Sequence, residues 1–495
     1  MLRERDLDFD EFVADGDLPY PYRRVNGRVV SAYPIVAGLL NVPIYAVGHV
    51  LGADPMARRH TLSLITASLL CAGGSLFMYF ALLRVFRGSR GRALAFALVF
   101  AFATAAWSVA SRGMWPHAPS LFFLSAALAL LSSGEKGMPW SGLPLGLAVV
   151  NRPTNLLLAL PLAVFVWRHA RRRFLLFLGL AALPAIAVAI YSAGYLGDAL
   201  AFGQDYRPGG FGGNVLSGLA GLLVSPSRGL LVFSPIFLFS AAGAVLAWRE
   251  KDPLPKYLVA GTVLSLLLYA RWGMWWGGAS FGYRLLIELV PGLILLAAIA
   301  WRDLVAPRRA LQVVFGALVL VSVFLHFLGA HVYPSRFNEN LDFELGRLWD
   351  WRESEPVLLT RKLFSPAVAD ANPSDVPVFW WTAEKNDDAI PGWLDASPGG
   401  RVLRGPMEIS GWAKSEMGEV DVRILLRDGR VIAPERYPRP DVAHAVPVLG
   451  DTSRAGFQTV LEPPRARPSE EVMVVELRSP AGRVRRLGPV RFRWE

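Results

Sequence analysis

The chain has 495 residues, 53% of them apolar and only 18% charged, against about 25% charged in an average soluble domain. That excludes an ordinary soluble protein and points to a multi-spanning membrane protein. The net charge of +11 sits largely on arginines in short loops between apolar runs, which argues for membrane orientation and against nucleic-acid binding, and the single cysteine, Cys71, excludes an intrachain disulfide.

Residues 1–57 read as an extracytoplasmic first loop with interfacial helices. The acidic Glu4, Asp6, Asp8, Asp10, Glu11, Asp15 and Asp17 lead into Tyr20-Pro-Tyr-Arg-Arg24, and residues 34–52 are apolar but interrupted by Pro34, Gly38, Pro43 and Gly48. No basic segment precedes an apolar core, so this is not a signal peptide.

Residues 58–333 form the membrane core. Apolar runs fall at 61–83, 93–110, 117–132, 141–151, 153–167, 174–197, 229–247, 257–271, 285–301 and 310–333, several close to the roughly 20 residues a helix needs to cross a bilayer. The runs at 141–151 and 153–167 are split by Asn151-Arg152-Pro153 and could be one broken hairpin; taken as two short spans, they bring the expected total to ten.

Every second loop, taken together, carries most of the Lys and Arg between the runs: Arg84, Arg87, Arg90 and Arg92; Lys136; Arg168, Arg171, Arg172 and Arg173; Arg249, Lys251 and Lys256; Arg302, Arg308 and Arg309. The alternate loops hold only Arg112, Arg152, Arg207, Arg228, Arg271 and Arg284. The positive-inside rule makes the first set cytoplasmic and places both terminal regions outside. Residues 34–52 then lie in the interface or re-enter, because another crossing would invert the bias. An acidic N-terminus outside the membrane, with no signal ahead of it, leads to the expectation that a first spanning helix is missing from this chain.

Residues 334–375, with Arg347-Leu-Trp-Asp-Trp351, read as an extracytoplasmic, partly helical linker. Residues 376–495 read as short strands: Val376-Pro-Val-Phe-Trp-Trp381, Met407 to Trp412, Val420 to Leu426 closed by the turn signal Asp428-Gly429, Gly456 to Leu461, Val472 to Leu477 and Val490 to Trp494. That pattern predicts an all-β sandwich domain.

The sharpest chemical signal is the set of lone arginines in the sparsely charged loops. Arg112 lies before Trp115-Pro-His117, Arg152 in Asn151-Arg-Pro-Thr-Asn155, Arg228 in Ser225-Pro-Ser-Arg-Gly229, and Arg271 and Arg284 bracket Trp272-Gly-Met-Trp-Trp-Gly-Gly-Ala-Ser-Phe-Gly-Tyr283. Ionisable groups at membrane depth are costly and mark function. Singly, each could be a snorkelling side chain; together they suit a phosphate or pyrophosphate, which a guanidinium binds through a planar fork of donors.

His117 could donate to that phosphate, act as a base or be structural. Glu288 could orient Arg284, one helical turn away on the same face, or act in catalysis, or be half of a buried ion pair. A first-loop carboxylate, Asp6, Asp8 or Asp10, could activate an acceptor hydroxyl or amine. The glycine-rich Gly203-Gln-Asp205-Tyr-Arg-Pro-Gly-Gly-Phe-Gly-Gly213 is a gate over a site or a spacer. No His/Cys cluster has metal spacing, so no metal ligand is named and a divalent cation stays open as a cofactor.

On these segments the chain resembles the GT-C superfamily of integral membrane glycosyltransferases, in the group of protein O-mannosyltransferases and aminoarabinose transferases. The resemblance covers residues 1–350 and rests on Val30-Ser-Ala-Tyr-Pro34, Trp115-Pro-His117, Asn151-Arg-Pro-Thr154, Ser225-Pro-Ser-Arg-Gly229 with Phe233-Ser-Pro235, Trp276 to Arg284 and Arg347 to Trp351. It implies transfer of a sugar from a polyprenyl-phosphate donor to an extracytoplasmic acceptor at a plasma membrane, with an aspartate of the first outer loop as base and basic residues on the donor phosphate. Asp6, Asp8 and Glu288 are then the catalytic candidates, and Tyr33, Arg112, His117, Arg152, Asp205, Arg228 and Arg284 the substrate-binding ones. The family's key aspartate usually follows its first spanning helix directly, and both would lie upstream of Met1. The alternatives are a transporter or flippase of an anionic substrate, which needs charge accessible from both faces, and a structural assembly protein whose β domain binds cell-wall polymer.

Overall fold

A computed structural model describes residues 6–10, 22–31, 33–54, 58–200, 210–333, 345–364, 392–396, 402–403, 405–414, 419–427, 429–438, 454–464, 469–480 and 484–494. The chain divides into two compact units, one of residues 1–333 and 338–360 and the other of 334–337 and 361–495.

The first unit is mostly helical. Four helices are long and apolar enough to cross a membrane, Arg59–Val85, Arg171–Tyr195, Arg284–Val305 and Arg309–Val332; a fifth is added if Arg90–Phe102 and Ala105–Arg112, bent by 43° at their junction, count as one. The sequence leads one to expect ten. The other runs form shorter or broken helices for local reasons. Pro153 separates Gly142–Asn151 from Leu156–His169, and Pro235 separates Leu230–Phe233 from the helix that resumes at Leu238. Proline has no N–H to give and clashes with the preceding turn. The 34–52 stretch contains the helix Val36–Val50.

Small residues let these helices approach closely. A Cβ at Gly142 or Gly146 would meet the Phe177 or Ala181 carbonyl oxygen at 2.2 and 2.4 Å, and one at Gly243 would meet that of Leu296 at 1.9 Å. Gly142 and Gly146 form a small-xxx-small pair facing Phe174–Tyr195. At the N-terminal end the hairpin Tyr22–Val25 with Arg28–Ser31 turns at Asn26 and Gly27, with φ of 50° and 81°, the left-handed pair that a two-residue hairpin needs.

In the second unit the strands fall into two sheets. One runs in the order Val402–Leu403, Val484–Trp494, Ser469–Arg478, Asp421–Leu426, Val431–Ile432, and the other Gly392–Ala396, Met407–Ala413, Gly456–Leu461, Glu435–Tyr437. Neighbours are antiparallel except Val402–Leu403, which runs parallel to Val484–Trp494. Alternation in Val420 to Leu426 buries Val422, Ile424 and Leu426 and leaves Asp421 and Arg423 exposed. Those three join Met473, Val475, Leu477 and Trp494, and Ile409, Phe457 and Leu461 of the other sheet, in one core. Gly429 turns with φ +87°. The strand expected at 376–381 lies outside the described residues.

Candidate functional site

Three segments distant in sequence meet where helices start or break. His117 opens the helix His117–Ser132, Arg152 caps Gly142–Asn151 in extended backbone, and Glu288 lies in the 3₁₀ turn Arg284–Leu289 that leads into Val290–Ala300. Glu288 Oε1 lies 2.8 Å from His117 Nδ1 and 2.7 Å from Arg152 Nη1, and those two nitrogens are 2.7 Å apart. Nδ1 cannot donate to a carboxylate and accept from a guanidinium at once. With Glu288 ionised, the consistent assignment has Nδ1–H and Nη1–H both donating to Oε1. The His117 and Glu288 side chains are 7% and 3% exposed, that of Arg152 15%, so the buried negative charge is matched by a cation that also reaches outward. Glu288 Oε2 is buried and has no hydrogen-bond partner among the described residues.

The sequence around Arg152 fixes it in place. Asn151 Nδ2 donates to the Pro116 carbonyl at 2.7 Å and to Ser120 Oγ at 3.0 Å, and Asn155 Nδ2 donates to the same Oγ at 3.0 Å and to the Ala148 carbonyl at 2.9 Å. Asn151-Arg-Pro-Thr-Asn155 is thereby tied to the first turn of the His117 helix. The Arg152 guanidinium lies 5.6 Å from the centre of the Tyr269 ring, whose hydroxyl donates to Thr154 Oγ1 at 2.8 Å.

Arg284 is half-buried, and its charge acts on His117. It does not share a face with Glu288, as α-helical spacing predicts. Residues 284–289 are 3₁₀, in which residues three apart eclipse, so Arg284 and Glu288 point about a third of a turn apart. Tyr33 makes an edge-on contact with Trp115, ring centres 6.3 Å apart, which brings the end of the first loop to the Trp115-Pro-His117 turn. In that loop Asp10 accepts from the Val29 N–H, and Asp8 lies 4.0 Å from Arg28. Burial pushes the Tyr22 phenol above its usual value. Arg112 is exposed at the end of the turn Ala110–Arg112, and Asp205 lies outside the described residues.

Arg228 sits in a different setting from Arg152. It and Glu355 are each 1% exposed and paired, and Arg228 also donates to the carbonyls of Trp276 at 2.8 Å, Ser227 at 2.7 Å and Gly278 at 3.1 Å. Glu355 Oε2 accepts from the Gly282 N–H at 2.8 Å, and Ser225 Oγ donates to the Leu348 carbonyl at 2.6 Å. Trp275 packs against Trp349 at 5.8 Å. The glycine-rich loop before Arg284 is therefore held by Arg228 through the Trp276 and Gly278 carbonyls and by the segment carrying Trp349 and Glu355.

A further polar group has no counterpart in the sequence reading. His326 Nδ1 lies 2.7 Å from Ser108 Oγ, its Nε2 lies 2.8 Å from Ser234 Oγ, and Tyr283 Oη lies 2.7 Å from that Oγ. Ser234 Oγ donates to the Ala103 carbonyl at 3.0 Å, and Tyr283 Oη accepts from the Ala105 N–H at 3.0 Å. All donors are satisfied if Ser108 donates to Nδ1 of a neutral imidazole whose Nε2–H donates to Ser234. Thr104, Ser234 and Tyr283 are N-cap positions where helical segments start, and Tyr283 directly precedes Arg284. The sequence signal that could have found it is a histidine, His326, inside an otherwise apolar helix.

Among the described residues no group of three or more His, Cys, Asp or Glu side chains could hold a metal ion. No protein-family model and no curated protein matches the chain.

Proposed function

We propose that the protein is a membrane glycosyltransferase that moves a sugar from a polyprenyl-phosphate donor to an extracytoplasmic acceptor. The observation that carries the reading is the convergence of Arg152, His117 and Glu288, with Arg284 in electrostatic reach. Two guanidinium groups and an imidazole thus gather at the ends of apolar helices around one buried carboxylate, and guanidinium forks bind phosphate.

On this reading Arg152 and Arg284 hold the donor phosphate, with Arg112 on its exposed side. Glu288 fixes the His117 ring and keeps the Arg152 fork in place, while Tyr33 lines the approach from the first loop. Asp6 or Asp8 removes the proton of the acceptor hydroxyl or amine. The acceptor atom bonds to the anomeric carbon as the bond from that carbon to the phosphate oxygen breaks, and the phosphate leaves with the electron pair, inverting the centre. Arg228 becomes scaffold in place of phosphate ligand, because protein carbonyls and Glu355 engage it from every side described above. The shorter helices complete ten spans in a plasma membrane, the cluster faces outward, and the two sheets form a β-sandwich.

The test is label transfer from a radiolabelled polyprenyl-phosphate sugar to a glycan, lipid or protein acceptor by the purified protein. Transfer that survives Arg152→Ala and Arg284→Ala unchanged contradicts the assignment. Transport of the intact labelled lipid across a vesicle membrane, with no transfer, replaces it with the flippase reading.

A further inference from the structure

Arg168, Arg171, Arg172 and Arg173 lie at the turn joining Leu156–His169 to Phe174–Tyr195. All four are exposed, and none forms an ion pair with a carboxylate among the described residues. Two arginines at other helix ends are paired instead, Arg84 with Asp252 at 2.8 Å and Arg302 with Glu250 and Asp303. Beside the turn, exposed Trp167 presents its ring 6.0 Å from the Arg171 guanidinium, an amphipathic indole of the kind found at headgroup depth.

The helix that follows is the least buried of the four candidate spans. One face packs against Gly142 and Gly146 through Phe177 and Ala181. The other carries Leu175, Leu183, Ile186 and Ile190, each more than half exposed, at spacings that keep them on one stripe about 22 Å long. Uncompensated guanidinium charge thus opens directly onto an apolar stripe, as an amphipathic anion requires.

We propose that this turn and stripe bind an anionic phospholipid, its phosphate on the Arg168–Arg173 guanidinia and its acyl chain along Leu175 to Ile190. Guanidinium forks match phosphate geometry, and basic residues beside a spanning helix attract anionic headgroups. A zwitterionic headgroup brings its own cation against four others. The proposal rests on membrane insertion alone and stands whether or not the protein transfers sugar.

The test is native mass spectrometry of the full chain released from micelles holding equal phosphatidylglycerol and phosphatidylcholine. The parent retains phosphatidylglycerol with a preference of about tenfold. Arg171→Gln/Arg172→Gln/Arg173→Gln brings the two lipids to parity, whereas Arg308→Gln/Arg309→Gln, at another helix start, keeps the preference. If the triple glutamine variant does not insert, the triple lysine variant, which keeps the charge, and the single Arg172→Gln each lower the preference. Equal retention of both lipids by the parent, an unchanged preference in the variants, or complete loss of preference to competing inorganic phosphate overturns the proposal, the last in favour of a free-phosphate site.

Discussion

Arg228 and Arg152 enter the sequence argument as equals, lone arginines in sparsely charged loops, and they end in opposite settings. Arg228 is 1% exposed, paired with an equally buried glutamate and bonded to three carbonyls. The Arg152 side chain is 15% exposed and shares one oxygen of Glu288 with His117, while the other oxygen lacks a partner among the described residues. A buried ion with a complete set of partners holds structure, and its worth shows when one partner is removed. A carboxylate left half-satisfied at the edge of the interior costs stability, and such costs are tolerated where chemistry needs them.

The strongest way to break this contrast is to cut the Arg228 pair. Arg228→Met should cost about 3–5 kcal/mol by leaving Glu355 charged and buried, read by chemical unfolding in detergent. Arg228→Met/Glu355→Met should recover most of that loss. A stable Arg228→Met protein lacking only activity would place Arg228 in the site after all. Gly146→Leu should cost about 1–3 kcal/mol, because its Cβ alone would sit 2.4 Å from the Ala181 carbonyl oxygen. Tyr283→Phe should cost about 1–2 kcal/mol by leaving the Ala105 N–H without its acceptor, and a variant of parental stability would remove Tyr283 from the buried junction. Exposed Arg112→Ala should change stability by less than about 0.5 kcal/mol while lowering transfer, which sharpens the contrast from the surface side.

Much of this was legible in the sequence, unevenly. Alternation in Val420 to Leu426 gave the strand and its buried face, since a period of two needs no tertiary context. The convergence of Trp115-Pro-His117, Asn151-Arg-Pro-Thr154 and Glu288 was foreshadowed by lone charged residues beside apolar runs in sparsely charged loops. The breaks within the apolar runs were less legible, because apolar composition does not distinguish one long helix from helices broken at Thr104 or Pro235. The fate of Arg228 was invisible. It depends on Glu355, 127 residues away in a segment that read as linker, and no local pattern reports a partner at that distance. The 3₁₀ geometry at Arg284 was hidden for a related reason: the loop's glycines and its clasp by Glu355 set the backbone there, whatever the helix propensity of Leu285 to Leu289.

The central claim is that Arg152 and Arg284, and not Arg228, hold the donor phosphate. The direct measurement is transfer of labelled sugar by parent, Arg152→Ala, Arg284→Ala and Arg228→Met/Glu355→Met proteins, each scaled to its folded fraction. A fall of about a hundredfold or more in the first two, consistent with loss of preorganised charge on a leaving phosphate, with the double variant within a few fold of parent, is the predicted result. Parental transfer by Arg152→Ala and Arg284→Ala, or its abolition in a fully folded Arg228→Met/Glu355→Met protein, would contradict it.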